Sequence, residues 1–260
     1  MKISIIISTY NRPGALIKVL DGLNHQTRMP DEVIVADDGS TPPASELLQQ
    51  DAQTHLRFPI QFVWHEHRDF RAASIRNKAI LTSTGDYIVL LDGDCIPEQH
   101  FTADHLHLAR KGFFFQGKRL LISQKLTNRF DRSTIGFPLI RYALTGDIGN
   151  FHHLIRIPFP SLTNRRMAGV KSCNMGFFRE DILAVNGFNE NFVGWGREDS
   201  ELVARFYKYG LKRKEHPFRA ICFHLWHPAN NRTRMDINER LLRDTIESTT
   251  YRCTNGLKRE

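Results

Sequence analysis

The sequence has 260 residues, which suits one large domain and does not require two. Apolar residues make up 41% and charged residues 25%, a composition that excludes a disordered chain, a collagen and a coiled coil as the main class. No apolar run approaches the ~20 residues that span a bilayer, and the first residues lack a signal-peptide pattern, so we expect a cytoplasmic protein.

The net charge indicates which partners the protein could bind, and the cysteines indicate the redox state of its compartment. The net charge is +8, and residues 201–260 carry six of the eight surplus positive charges, with thirteen Lys/Arg against seven Asp/Glu. This surplus favours an anionic partner such as a membrane face, a phosphorylated substrate or nucleic acid, although a solvated basic surface is an equal alternative. Four cysteines, at positions 95, 173, 222 and 253, lack the spacing of a metal or redox pair and are interpreted as reduced thiols.

The first hundred residues alternate between predicted strands and helices. Continuous β-branched runs predict strands that are covered on both faces, and apolar residues spaced i, i+3, i+4 and i+7 predict helices. In chain order the predictions are a strand at Ile3–Ser8, a helix from Pro13 through Leu23, a strand at Val33–Ala36, a helix near 43–55, a strand at Gln61–His65, a helix at 71–82 and a strand at Tyr87–Leu91. The alternation predicts an α/β fold with a mostly parallel sheet flanked by helices.

The second half of the chain is less regular. Residues 125–160 have little periodicity and several turn signals, so we expect loops and short helices lining one side of a cleft. Beyond them, order returns at Lys171–Arg179, and the pattern predicts a helix at Glu198–Tyr209, a strand near Arg219–Phe223 and a helix near Asp236–Glu247.

Polar clusters follow three of the predicted strands, at Thr9–Arg12, Asp37–Ser40 and Asp92–Asp94. Parallel sheets bind ligands beyond the carboxyl ends of their strands, so these clusters are expected at one rim. The two carboxylates of Asp92-Gly93-Asp94 could hold a divalent cation that carries a diphosphate, or the segment could be a plain turn. An Asp in Asp37–Ser40 could accept hydrogen bonds from a base or ribose, or it could cap the next helix. Arg76 could reach a phosphate or base, or it could be a solvated helix arginine.

Two C-terminal segments carry further candidates. In Gly194–Asp199 an aromatic ring that can stack on a sugar precedes two carboxylates at a helix start, where the dipole favours the ionised form and thus a general base. The alternative is ordinary helix-start chemistry with a core tryptophan. In Cys222–Pro228 two imidazoles, His224 and His227, could complete the coordination of a metal at Asp94, although structural histidines are commoner.

Taken together, these motifs resemble the inverting family 2 glycosyltransferases of the GT-A fold. The N-terminal resemblance rests on Ser4–Arg12, Asp37–Ser40, Arg71–Asn77 and Tyr87–Asp94. The C-terminal part is similar to the galactosyltransferase-type region shared with animal β-1,4-galactosyltransferases and bacterial chondroitin polymerases, through Asn174–Phe177, Gly187–Glu190, Gly194–Asp199 and His224–His227. The resemblance covers roughly residues 2–100 and 170–230, and residues 101–169 match no motif.

The resemblance implies a role for each matching residue. Asp199 would be the catalytic base, and Trp195 and Glu198 would hold the acceptor sugar. Asp94 would bind Mn²⁺ or Mg²⁺ together with His227 and His224. The nucleotide-sugar would contact Thr9, Tyr10, Arg12, Asp38, Arg76, Asp92, Gly93 and Asp94. Two residues depart from the pattern: Arg197 replaces a small residue, which would narrow the acceptor pocket or let it recognise an anionic group, and Asn189 replaces an aspartate in a turn.

The resulting hypothesis is an inverting, metal-dependent glycosyltransferase. It would move a hexose or N-acetylhexosamine from a nucleotide-sugar, with UDP as the expected nucleotide, to a glycan or glycolipid of the bacterial surface such as lipopolysaccharide, capsule or O-antigen. Residues 1–100 would form the nucleotide-sugar-binding half of a GT-A domain, 101–235 its acceptor-binding and catalytic half, and 236–260 a C-terminal basic helix and tail. The basic charge predicts peripheral contact with the anionic inner face of the cell membrane. The alternatives are a sugar nucleotidyltransferase, which the absence of a Gly-rich phosphate loop after the first strand disfavours, and a basic nucleic-acid-binding module, for which no motif is found.

Overall fold

The structure is a computed structural model that describes residues 1–50, 55–136, 138–229 and 231–259. Its strands and helices are, in chain order, β1 (Ile3–Thr9), α1 (Pro13–Asn24), β2 (Glu32–Asp37), α2 (Ala44–Gln50), β3 (Ile60–Trp64), α3 (Ala72–Thr82), β4 (Tyr87–Asp92), β5 (Cys95–Pro97), α4 (Phe101–Leu108), β6 (Phe113–Gln116), β7 (Lys118–Ile122), α5 (Gln124–Thr127), α6 (Pro138–Leu144), β8 (Ile148–Gly149), β9 (Leu162–Asn164), β10 (Asn174–Phe178), α7 (Arg179–Ala184), α8 (Glu198–Tyr209), β11 (Lys212–Glu215), β12 (Ile221–His224) and α9 (Met235–Glu247).

The main sheet has eight described strands in the order β3-β2-β1-β4-β10-β6-β11-β9. The first four pair in parallel, as the alternation of strands and helices predicts. The next strand, β10, runs antiparallel between β4 and β6, so the remainder of the sheet is mixed. The predicted α/β fold is confirmed, and its second half is joined to the first through one continuous sheet.

Strand β1 shows why the sheet is covered on both faces. Ile5 and Ile7 point into the core that α1 covers, whereas Ile6 points into the opposite core that α3 covers, and all three are fully buried. Burying an isoleucine side chain contributes about 1.5–3 kcal/mol relative to leaving it exposed. A run of β-branched residues is therefore the sequence that a central, doubly covered strand requires.

A second sheet of four described strands, in the order β5-β12-β7-β8, lies beside the rim where β4 ends. In this sheet β12 pairs antiparallel with β5, and β5 follows the Asp92-Gly93-Asp94 turn directly in the chain. The strand predicted near Arg219–Phe223 begins only at Ile221. The preceding Arg219 is engaged with Asp104, and Ala220 has a φ of 51°, which is incompatible with extended backbone.

Three further predictions concern the irregular parts of the chain. The helix predicted near 43–55 is observed at Ala44–Gln50, and residues 51–54 of that prediction lie outside the described residues. The described residues of 125–160 form loops and short helices, as predicted, with 3₁₀ turns at Arg132–Thr134 and Phe151–Leu154. They also include the two-residue strand β8, which was not predicted. Among the described helices, none combines the length and the apolar character needed to cross a membrane.

The C-terminal segment is not basic, contrary to the prediction for residues 236–260. It holds five Lys/Arg and five Asp/Glu, whereas residues 201–235 hold eight against two and so carry the surplus of this region. Helix α9 packs on α8, where Lys208 contacts the carbonyl of Thr245. The basic surplus therefore belongs to the body of the domain.

Candidate active site

Strand ends meet at one rim of the main sheet, as predicted. In the parallel register Ser8 of β1 lies opposite Asp92 of β4, and β2 ends at the same level. The N–H of Gly93 donates to the Ser8 carbonyl at 2.7 Å, and a Cβ at position 93 would lie 3.0 Å from that oxygen. The Asp92-Gly93-Asp94 turn is thus packed tightly against the end of β1, which favours a residue without a side chain at position 93.

One guanidinium and two imidazoles surround Asp94. Because β12 runs antiparallel to β5, His224 lies opposite Cys95, immediately beside Asp94. His224 Nε2 is 3.7 Å from Asp94 Oδ1, and His227 Nε2 is 3.6 Å from Asp94 Oδ2, which Arg12 also contacts. Burial lowers the pKa of His224 to about 4, so its imidazole is neutral near pH 7.

These residues fit a divalent cation. The ligand atoms of Asp94, Cys95 and His224 lie within 4.8 Å of one another, and His227 points at the same carboxylate. A carboxylate with imidazoles is a donor set that first-row divalent metals accept. Arg12 occupies one carboxylate oxygen of Asp94, so a cation bound there would share or replace that contact.

Arg76 joins carboxylates from two distant parts of the chain. Only 5% of its side chain is exposed, and Nη1 donates to Glu198 Oε1 at 3.1 Å while Nη2 lies 3.4 Å from Asp92 Oδ1. Its Nε donates to Ser8 Oγ at 3.1 Å. Burial opposes its charge, but Glu198 and Asp92 outweigh that effect and raise the pKa of Arg76 above its usual value. Arg76 is therefore a buried bridge rather than a solvated helix arginine.

Asp199 opens α8 beside Glu198. Its Oδ1 accepts the N–H of Ser200 at 2.7 Å, and its Oδ2 accepts the N–H of Ser172 at 3.4 Å. Burial, followed by the charge of Glu198, raises the pKa of Asp199 to about 7. Desolvation and a like charge thus oppose the helix dipole, so the carboxylate of Asp199 is only partly ionised near neutral pH, less than the helix start alone predicts.

Trp195 and Arg197 precede α8. The Arg232 guanidinium lies 5.1 Å from the centroid of the half-buried Trp195 ring, an arrangement typical of a cation–π contact. Arg197 adopts a φ of 78° and contacts Glu239 on α9. Its charge is therefore already paired, which removes support from the expectation that Arg197 recognises an anionic group of the acceptor.

A cavity of about 280 Å³ lies beside the ends of β1 and β2. Thr9 and Arg12 belong to its wall, together with the loop that connects β2 to α2. Next to it, the exposed Tyr10 ring stacks on His67 with centroids 4.5 Å apart. The structure thus places Thr9 and Arg12 in the wall of one cavity, and their contact with a nucleotide stays a prediction.

The two aspartates after β2 are bound within the protein. Asp37 accepts the N–H of Ala44 at 2.8 Å and so caps α2, which is the structural alternative for this motif. Asp38 lies 2.6 Å from His65 Nε2 through Oδ1 and accepts the N–H of Arg71 through Oδ2 at 2.9 Å. A contact between Asp38 and a base therefore depends on the remaining lone pairs of its carboxylate.

Three cysteines converge behind the rim, which their spacing in the sequence does not indicate. The ligand atoms of Asp92, Cys95 and Cys173 lie within 4.8 Å of one another, and Arg119 Nη1 lies 3.7 Å from Cys173 Sγ. Cys222 on β12 lies beside the thiol of Cys95, and all the described cysteines are free and buried. Sequence reasoning also missed Arg119, because nothing around it forms a motif.

Comparisons with known proteins agree with this architecture. Residues 4–169 match Glycosyl transferase family 2, and residues 151–228 match the N-terminal domain of galactosyltransferase. The chain is 27% identical over 237 residues to a hyaluronan synthase of Pasteurella multocida, covering 80% of this chain and 23% of that protein. It is also 27% identical over 230 residues to a validoxylamine A glucosyltransferase of Streptomyces hygroscopicus subsp. limoneus, covering 80% of this chain and 48% of that protein. The chain thus spans less than half the length of these relatives.

Solved structures with the same fold include TarS 1–349 of S. aureus in complex with UDP, with a TM-score of 0.66 and 16% identity over 94% of this chain and 65% of that one. A second is the mannosyltransferase PcManGT of Pyrobaculum calidifontis in complex with GDP-Man and Mn²⁺, with a TM-score of 0.57 and 20% identity over 92% of this chain and 60% of that one.

The central sheet has the GT-A fold of these structures. The match to more than half of the chain shows that it belongs to glycosyltransferase family 2. The resemblance inferred from the sequence motifs is confirmed. The hypotheses of a sugar nucleotidyltransferase and a nucleic-acid-binding module gain no support.

Proposed function

We propose that this protein is an inverting, metal-dependent glycosyltransferase that uses a nucleotide-sugar donor, with UDP as the nucleotide. The donor sugar would be a hexose or N-acetylhexosamine, and the acceptor a sugar hydroxyl of a bacterial surface glycan such as lipopolysaccharide, capsule or O-antigen. The observation that carries the proposal is the Arg76 bridge, which joins Asp92 on the metal side to Glu198 beside the candidate base. Relatives named hyaluronan synthase and chondroitin synthase support a polysaccharide-type product.

Asp94, His224 and His227 would hold Mn²⁺ or Mg²⁺. Imidazole donors favour Mn²⁺, because Mg²⁺ prefers oxygen ligands alone. When bound, the cation would offset the charge of the leaving nucleoside diphosphate. Arg12 contacts the Asp94 oxygen that faces His227. Once a cation binds that carboxylate, the Arg12 guanidinium would turn toward a phosphate of the donor.

Asp199 would act as the general base. A sugar hydroxyl is a weak nucleophile, and a carboxylate with a pKa of about 7 accepts its proton more readily than one with an ordinary aspartate pKa. Glu198 would orient the acceptor through the carboxylate oxygen that does not bind Arg76, and Trp195 would stack on a sugar ring. A single displacement with the base opposite the leaving group inverts the anomeric centre, so an α-linked donor would give a β-glycoside.

Thr9, Tyr10, Arg12 and Asp38 would surround the nucleoside, supported by the cavity at the ends of β1 and β2. In this proposal residues 1–100 form the donor half and 101–235 the acceptor half of one domain. The basic surplus between residues 201 and 235 supports peripheral contact with the anionic inner face of the cell membrane, and the protein would work in the cytoplasm.

Two measurements test the proposal. Calorimetry measures the binding of UDP with and without Mn²⁺. A turnover assay measures the release of UDP from nucleotide-sugars in the absence of acceptor. We expect Mn²⁺-dependent UDP binding, and we expect Asp199→Asn to lower UDP release at least a hundredfold while retaining UDP binding. Asp236→Asn on the exposed start of α9 removes the same charge and should behave as wild type. UDP release by Asp199→Asn at the wild-type rate would refute the assignment of the base.

A further inference from the structure

A second cavity, of about 150 Å³, opens between β6, β7, β11 and the segment that precedes β10. Four residues with basic side chains line its wall, namely Lys118, Arg119, Lys171 and Arg213. The remaining wall includes Gln116, Asn150, His153 and Gly169. The sequence motifs give this cavity no role.

The positive charges around this cavity are only partly compensated. Glu215 contacts Lys118 and lies 3.4 Å from Arg213. Within the described part of the chain, no carboxylate lies within ion-pair distance of Arg119 or Lys171. Glu215 is thus the one carboxylate within ion-pair distance of the four cations among the described residues, while Asp199 acts on Lys171 and Asp92 on Arg119 only from farther away. Positive charge remains in excess at the cavity wall, and clustered cations of this kind attract an anion.

Arg213 is the most buried of the four. Only 6% of its side chain is exposed, and Nη1 donates to the Ala168 carbonyl at 2.7 Å. Its buried Nε has no hydrogen-bond partner among the residues that the structure describes. A buried guanidinium with an unmet donor is costly, and an oxyanion in the cavity would reduce that cost by adding negative charge beside it.

The cavity adjoins the candidate catalytic residues. Lys171 and Cys173 belong to its wall, and the N–H of Ser172 between them donates to Asp199 at 3.4 Å. On the other side, Cys173 lies in the same cluster as Asp92. A group bound in the cavity would therefore lie beside the place where an acceptor hydroxyl gives up its proton.

We propose that this cavity binds an oxyanion carried by the acceptor, a phosphate or a carboxylate, and that the enzyme thereby selects an anionic glycan. This inference rests on the proposed function, because it assigns the acceptor to the same rim as Asp199. Burial and the neighbouring Arg119 lower the pKa of Lys171, and a bound anion would reverse that effect.

The test uses metal-free protein and three probes: inorganic phosphate, D-glucuronate and neutral galactose. We expect calorimetry to detect one phosphate or glucuronate per chain and no galactose. Lys171→Met should weaken anion binding about tenfold, because a charge-assisted hydrogen bond is lost. Lys212→Met is the matched control, since Lys212 is the exposed neighbour of Arg213 on β11 and points to the opposite face.

Tighter binding of phosphate would identify a phosphorylated acceptor, and tighter binding of glucuronate would identify one that contains uronic acid. Equal binding of anions to Lys171→Met, Lys212→Met and wild-type protein would overturn the proposal, as would equal binding of galactose. Titration of UDP with Mn²⁺ into the same proteins separates the two questions. Normal UDP binding without anion binding refutes this inference alone, whereas anion binding without UDP binding refutes the proposed function.

Discussion

Arg76 and Glu198 lie 122 positions apart and form a buried ion pair with a distance of 3.1 Å between Nη1 and Oε1. Arg76 lies on α3, which packs on the parallel half of the sheet, and Glu198 starts the helix that carries the candidate base. The same guanidinium lies 3.4 Å from Asp92 in the acidic turn. One side chain thus sets the positions of carboxylates that the sequence places in separate motifs.

Replacing Arg76 should reduce stability as well as activity. Arg76→Met leaves the carboxylate of Glu198 without its partner, and breaking a buried pair costs about 3–5 kcal/mol. Urea denaturation measures this loss. Arg68→Met removes an exposed arginine that pairs with Glu66, and its effect should stay within about 1 kcal/mol. Equal midpoints and slopes for the two variants would show that Arg76 does not bridge the site.

The raised pKa of Asp199 predicts how turnover depends on pH. A base works when deprotonated, so UDP release should rise as the pH passes about 7 and fall at more acidic pH. Because the Glu198 charge contributes to the raised pKa, Glu198→Gln should move the midpoint of the pH–rate profile to lower pH. Glu247→Gln, at the exposed end of α9, should leave the midpoint unchanged. A profile of Glu198→Gln that coincides with wild type would contradict this explanation.

Arg12 and a cation should compete for Asp94. Arg12→Gln removes the guanidinium that contacts this carboxylate, so Mn²⁺ binding to the donor-free protein should strengthen by about 1 kcal/mol, a factor of about five. Electron paramagnetic resonance of free Mn²⁺ measures the affinity. Arg28→Gln, which breaks an exposed pair with Asp31, is the control and should bind as wild type. Asp94→Asn should lose Mn²⁺ binding, and weaker binding by Arg12→Gln would count against competition.

The cysteines should be unreactive in the folded protein. Burial raises the pKa of Cys95 and Cys222, which keeps these residues as thiols, and the thiol is a poor nucleophile. Titration with an aromatic disulfide reagent at neutral pH should therefore give almost no fast reaction in native protein and four equivalents in guanidinium chloride. Ser133→Cys adds an exposed thiol as a positive control and should react at once. A fast phase in the native wild type would disprove the prediction.

Local periodicity predicted the helices and strands whose buried residues recur at regular spacing in the sequence. The helix at Glu198–Tyr209 is observed with the predicted bounds, and the helix that begins at Pro13 buries Leu16 and Leu20 on its apolar face. The shared rim followed from strand direction alone. These features depend on neighbouring residues or on general rules for parallel sheets, so one sequence was sufficient to predict them.

Features that arise from pairing between distant segments were not predictable. Strands β5 and β7 are short, and both pair with β12, a strand about 100 residues later in the chain. The same pairing brings Cys222 toward Cys95 and sets Arg119 beside Cys173. The raised pKa of Asp199 depends on burial, which a helix-start pattern cannot report.

The position of β10 has a consequence for any attempt to divide the protein. Its residues 174–178 come from the second half of the chain, yet they form the strand that pairs with β4 on the side opposite β1. A fragment that stops near residue 100 would expose an apolar strand with open N–H and C=O groups, which is a template for aggregation. Donor specificity in this scaffold is therefore better exchanged by grafting side chains at the rim than by swapping halves between relatives.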